Sequence, residues 1–197
     1  MAITTRATHA CCGGTLGFYS HPSESLGLEA RFAVFVPDGA SAAAPVPVIH
    51  LLAGLTCTEE TFLIKANAVR FAAEYRVALV ATDTSPRGAD IAGEDDSYDF
   101  GSGAGFYLDA TQAPWAAHDA TLLLQAGHTH PTTILVDQGE ADQFLDAQLQ
   151  PWHLEQAARA AGQELILRRH PGYDHSYWFI QSFIQDHLTH HAAILRR

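Results

Sequence analysis

An acid and a base stand 33 positions apart in this chain, Asp142 and His175, each just beyond a short apolar run. A carboxylate that orients an imidazole, which then takes a proton from a nucleophile, is the working logic of many hydrolytic sites. Spacing alone leaves two surface loop residues as the plainer reading. A further candidate is the backbone N–H of Leu55. It follows Gly54 at the end of an apolar stretch, where a strand-to-helix turn can donate an oxyanion amide. An ordinary turn has the same pattern. Cys57 lies close by, at the start of a helical pattern, and a helix N-terminus lowers a thiol pKa.

A nucleophile is harder to find. The chain has nine serines, none inside Gly-x-Ser-x-Gly. Ser102 sits in a glycine-rich run, but Phe100 stands where that motif needs glycine and no strand precedes it. Ser176 follows the base at a helix start. His187, His190 and His191 have helix spacing, yet no cysteine or carboxylate completes a metal site, so they read as surface. Adjacent Cys11 and Cys12 have no second pair and form no metal motif. Neither a metal nor a cofactor is expected.

The elements that must position these groups follow from periodicity. Leu26 to Val36 alternates with period two, which predicts an antiparallel edge strand with Thr15–His21 as its hairpin partner. Val46–Ala53 reads as a strand buried on both faces. Thr56 to Glu59 suggests a capping box, followed by a helix with Phe62, Ala66, Val69 and Ala73 on one face. Val77–Thr82 completes a β-α-β unit, hence a parallel sheet. From Thr84 to Thr111 the periodicity stops in a long loop rich in glycine and aromatics. Strands are expected again at Thr132–Val136 and Glu164–Arg169, with a helix at Pro151–Ala161 between them. A last helix presents Ile180, Ile184, Leu188, Ala192 and Leu195. The fold class is α/β, in a single domain over 1–197.

Composition excludes several partners. The net charge of −11 over 197 residues repels phosphate backbones and anionic membranes, so neither is expected to bind. No apolar run reaches the ~20 residues of a membrane span. No signal peptide is visible at the N-terminus. Three cysteines without framework spacing suit a reducing cytoplasm.

Several longer strings carry a resemblance. Leu52 to Glu59, Asp83 to Gly88, Gly93 to Gly101 with Gly103 to Tyr107, Asp137-Gln138-Gly139 with Asp142-Gln143-Phe144, and Tyr173 to Tyr177 resemble the S-formylglutathione hydrolase (esterase D) family of α/β-hydrolases. The resemblance implies a serine thioesterase that releases formate from S-formylglutathione in formaldehyde detoxification. It implies Asp142 as acid, His175 as base and Leu55 as an oxyanion amide donor. Gly54, Cys57, Asp99 and Phe100 would meet a glutathione thioester. Full-length relatives imply a homo-oligomer.

One departure is large. The family places its Gly-x-Ser-x-Gly elbow after the loop ending at Thr111, and this chain passes from Pro114-Trp115 directly into a later family stretch. The resemblance therefore implies an internal gap near 115–117 of on the order of 85 residues, holding nucleophile, central strand and following helix, with the second oxyanion amide. Loss of a central strand exposes two sheet edges. A marginal fold, or one rescued by self-association, is expected. Activity is expected to be lost. The alternative is a non-catalytic relative that binds glutathione conjugates or a partner chain.

Overall fold

The computed structural model describes residues 2–25, 27–54, 57–83 and 115–196. Its chain contacts group into two compact units, one of 1–110 with 184–197 and one of 111–183.

The first unit is built on a five-stranded sheet in the order β1-β2-β3-β5-β4. Its strands are β1 (Thr4–Ala10), β2 (Gly14–Ser23), β3 (Leu28–Pro37), β4 (Val48–Leu52) and β5 (Ala78–Thr82). The hairpin of β2 and β3 forms as the alternation predicts. β3 is not an edge, however. It lies between β2 and β5, pairing antiparallel with both, and β1, which its small polar residues did not announce, takes the outer place beside β2.

β4 and β5 pair in parallel, as a β-α-β unit requires. The helical stretch between them is two helices rather than one, α1 (Glu59–Lys65) and α2 (Ala68–Glu74). They break at Asn67, whose φ of +59° is left-handed, a conformation asparagine tolerates better than most residues. The cap of α1 is Thr58, not Thr56. The Thr58 side chain accepts from the first turn while the Thr61 hydroxyl accepts from the Thr58 N–H at 3.1 Å. Leu63, Ala66, Val69 and Ala72 are buried, against a sheet face where Ala33, Phe35 and Leu79 are fully enclosed.

The expectation that β4 is buried on both faces is wrong. Ile49 and Leu51 are buried, but Val48 and Leu52 are 53% and 60% exposed. A continuous apolar run marks a strand with neighbours on every side; among the described residues β4 pairs with β5 alone.

Glu59, in the first turn of α1, is a buried carboxylate. Arg6 of β1 approaches its Oε1 at 3.3 Å. Its Oε2 has no hydrogen-bond partner among the described residues.

The second unit contains β6 (Ile134–Gly139) and β7 (Leu165–His170), paired in parallel. Both strands run further than the apolar residues suggested, and β6 includes Asp137-Gln138-Gly139. Here too the apolar positions are only half-buried rather than enclosed. Leu124 of α3 (Ala120–Gln125) forms a small core with Ala157 and Ala158 of α4 (Pro151–Ala161). Leu165 of β7 packs against that core. α4 starts on Pro151 and is closed by Gly162, as read. The last helix, α5 (Tyr177–Leu195), contributes its first turns to this unit and the rest to the first. Of its expected face Ile184, Leu188 and Ala192 are buried, whereas Leu195 is exposed. No described helix is long and apolar enough to cross a membrane.

Candidate active site

The exits of β6 and β7 are tied to each other by backbone. The Glu140 N–H donates to the His170 carbonyl at 3.0 Å, and the Ala141 N–H to the Tyr173 carbonyl at 2.9 Å. This approach requires glycine at 139, because a Cβ there would stand 2.3 Å from the Tyr173 carbonyl oxygen. The two loops that carry the candidate acid and base are thereby held side by side.

Asp142 and His175 meet as a result. His175 Nδ1 lies 2.8 Å from Asp142 Oδ2. The Asp142 side chain is 4% exposed and that of His175 is 53% exposed. Asp142 has further support. The Phe144 N–H donates to Oδ1 at 2.8 Å, and the Gln138 side-chain amide donates to Oδ2 at 3.3 Å. The same Gln138 nitrogen donates to the Gly139 carbonyl at 2.9 Å. Both of its partners are acceptors, which fixes which end of the amide faces them. The Phe144 ring stands edge-on to the imidazole at 4.9 Å. A carboxylate can only accept, so the proton of a neutral His175 sits on Nδ1. That leaves the Nε2 lone pair available on an exposed ring.

A second acid–base pair lies on the strands themselves. Asp137 Oδ1 is 2.7 Å from His170 Nε2. Arg168 also clamps both Asp137 oxygens, from Nε and from a terminal nitrogen, each at 2.6 Å. The register pairs Asp137 with Arg168, and alternation puts His170 on the same face. The His170 ring lies 3.8 Å from that of Phe183 and 5.8 Å from that of Phe179. Sequence reasoning missed this cluster, although its spacing is the same 33 residues. It also missed Gln138 and Phe144 as supports of Asp142.

The other described candidates are Ser176, Gly54 and Cys57. Ser176 turns its hydroxyl onto Asp174 Oδ1 at 2.5 Å. Gly54 and Cys57 belong to the first unit, where the Cys57 N–H donates to the Gly54 carbonyl at 3.0 Å and closes the turn before α1. Cys57 is half-buried and not in a disulfide. Leu55, Asp99, Phe100 and Ser102 lie outside the described residues. Among the described residues no group of three or more His, Cys, Asp or Glu is placed to hold a metal ion.

An esterase family model, described as "Putative esterase", matches residues 23–125 and 110–190. The chain is 36% identical to an S-formylglutathione hydrolase of Arabidopsis thaliana, covering 90% of this chain and 92% of that one. This chain belongs to the S-formylglutathione hydrolase family. The mouse member is 31% identical over 99% of both chains. The solved structure of the Agrobacterium tumefaciens member superposes with a TM-score of 0.89 at 30% identity, over 98% of this chain and 99% of that one. The fold is accordingly α/β, of the esterase kind. The mouse comparison runs over 281 positions for the 197 residues here, so at least 84 of them face no residue of this chain.

Proposed function

We propose that this chain carries the acid–base half of a serine thioesterase site for S-formylglutathione and does not turn that thioester over. The observation that carries the reading is the 2.8 Å contact of His175 Nδ1 with the buried Asp142 carboxylate. In such a site Nε2 takes the proton of the attacking serine, and the carboxylate steadies the imidazolium that forms. Acylation of the serine releases glutathione as the leaving thiol, and water then hydrolyses the formyl-serine to give formate. Here no serine stands in Gly-x-Ser-x-Gly. The reading keeps Leu55 as one oxyanion donor; the second, which follows the nucleophile in sequence, is lost with it. Gly54, Cys57, Asp99 and Phe100 are the residues assigned to the substrate.

Two findings support an internal gap near 115–117. The family model aligns in two stretches that meet at 110–125. The mouse alignment has far more positions than this chain has residues. The exposed Val48 and Leu52 on β4 support self-association, as a homo-oligomer, which light scattering would detect. The wider role in formaldehyde detoxification rests on the family resemblance, and a reducing cytoplasm on three cysteines without framework spacing. A second reading, a glutathione-conjugate binder without turnover, is favoured by an acid–base pair that is assembled in a chain with no Gly-x-Ser-x-Gly serine.

The test is hydrolysis of S-formylglutathione and of p-nitrophenyl acetate by purified protein beside a His175→Ala variant. The expected rate equals that of the variant. Turnover that disappears in His175→Ala would reveal a nucleophile elsewhere, and Cys57→Ala would be the next measurement. Calorimetry with S-methylglutathione separates the two readings, since only a binder gives heat.

A further inference from the structure

The turn between β1 and β2 is narrow. The Cys11 N–H donates to the Gly14 carbonyl at 3.0 Å, leaving Cys12 and Gly13 as its two central residues. Both have positive φ, +49° at Cys12 and +74° at Gly13. That is the signature of a type I′ hairpin turn, whose first central position prefers asparagine, aspartate or glycine. A cysteine is a costly choice there, because an L side chain other than Asn or Asp is strained in the left-handed region. The turn is pinned from just past the end of β3, where the Asp38 N–H donates to the Gly13 carbonyl at 2.9 Å.

This conformation has a chemical consequence. Adjacent residues on a strand point to opposite faces. In this turn the sulfurs of Cys11 and Cys12 converge instead, to 3.6 Å, with the Cys11 thiol donating to Cys12 Sγ. Cys12 is exposed, Cys11 half-buried, and neither is in a disulfide. Burial, and then the bond to Cys12, push the Cys11 thiol pKa up.

We propose that Cys11 and Cys12 form a chelating dithiol site for trivalent arsenicals, independent of the hydrolase site. Direct oxidation suits this pair poorly. A disulfide usually needs Cα atoms about 4.4–6.8 Å apart, whereas neighbours across a trans peptide are held near 3.8 Å. A bridging arsenic asks for no such closure, since each sulfur bonds to the metalloid and not to the other. With an arsenoxide, two S–H bonds and the As–O bonds break and two As–S bonds form. The oxygen leaves as water with both thiol protons. Arsenic stays trivalent, so no oxidant or reductant is required.

Phenylarsine oxide is the probe, with intact mass and thiol titration as readouts. The full chain should take up one arsenical, lose two of its three titratable thiols, and keep the adduct against a monothiol but release it to 2,3-dimercaptopropanol. Cys12→Asn places a preferred residue at the turn, so the fold survives while monothiol-resistant uptake disappears. Cys11→Ser should lose it equally, and Cys57→Ser should leave it unchanged. Resistant uptake that persists in Cys12→Asn, or an adduct on the full chain that a monothiol removes completely, would overturn the site.

Discussion

The pairs Asp137–His170 and Asp142–His175 look alike on paper. Each joins a carboxylate to a histidine 33 residues later, at 2.7 Å and 2.8 Å, and each carboxylate is 4% exposed. Their surroundings differ in two respects. Asp137 is already neutralised by a two-pronged Arg168, and its histidine is packed against Phe179 and Phe183. Among the described residues Asp142 receives only uncharged N–H donors besides His175, and its histidine is half open. The nitrogen used also differs, Nε2 in His170 and Nδ1 in His175. A carboxylate shared with a guanidinium has less charge to offer an imidazolium, so the first pair fastens β6 to β7. The second keeps its charge for a proton arriving at Nε2.

The largest effect should therefore come from the pair without chemistry. Asp137→Ala takes the shared carboxylate away from Arg168 and His170, and breaking a buried ion pair costs about 3 kcal/mol, somewhat less here because Arg168 is a third exposed. Urea unfolding measures it. Asp142→Asn should cost only about 1 kcal/mol, while its amide, donating to Nδ1, drives His175 to the Nε2–H tautomer visible in imidazole nitrogen NMR shifts. Equal stability losses in the two variants would erase the distinction.

Gly139→Ala comes next, because it attacks the frame both pairs share. Its Cβ would meet the Tyr173 carbonyl, and such overpacking costs about 1–3 kcal/mol. The expected mark is loss of the Nδ1–H preference of His175 together with a lower denaturation midpoint. Gln138→Met has nearly the same shape but no donor. It should cost about 1 kcal/mol and weaken the same tautomer preference without the wider disturbance; an unchanged tautomer signal would show that Phe144 alone aligns Asp142.

Part of this was legible in the sequence. Asp142 and His175 stand out because each follows a strand that the apolar pattern reveals. Asp137 and His170 have the same separation, and only the register, which sets Arg168 opposite Asp137, tells the two pairs apart. Gln138 could not be read, since an amide on a strand acquires a role only once the Asp142 loop folds back to it. β4 misled for a related reason. Its composition reports the neighbours such a strand ordinarily has, and the sheet described here has none beyond it. The cap of α1 shows the same limit locally, with Thr56 and Thr58 both fitting the pattern and only Thr58 taking the position.

Glu59 extends the comparison to a buried carboxylate left incompletely satisfied. Asp137 and Asp142 have donors on both oxygens, whereas Glu59 Oε2 has none among the described residues. Burial pushes its pKa above the usual carboxylate value, with neighbouring Asp83 and Glu60 adding to the shift; its own backbone N–H and Arg31 act against it. The folded state thus holds this proton more tightly than the unfolded chain does. Stability linked to Glu59 is fully present below the unfolded pKa, about 4.3 for glutamate, and is lost as pH rises through the higher folded value. Glu59→Gln removes the titration and leaves a neutral side chain in the same space. The variant should match the wild type near pH 4 and gain on it as pH rises, by less than about 1 kcal/mol at neutral pH because the Arg6 contact is given up. Thermal melts at both pH values decide it. A variant less stable than wild type at neutral pH would mean that Arg6 outweighs the burial, placing Glu59 with the satisfied carboxylates after all.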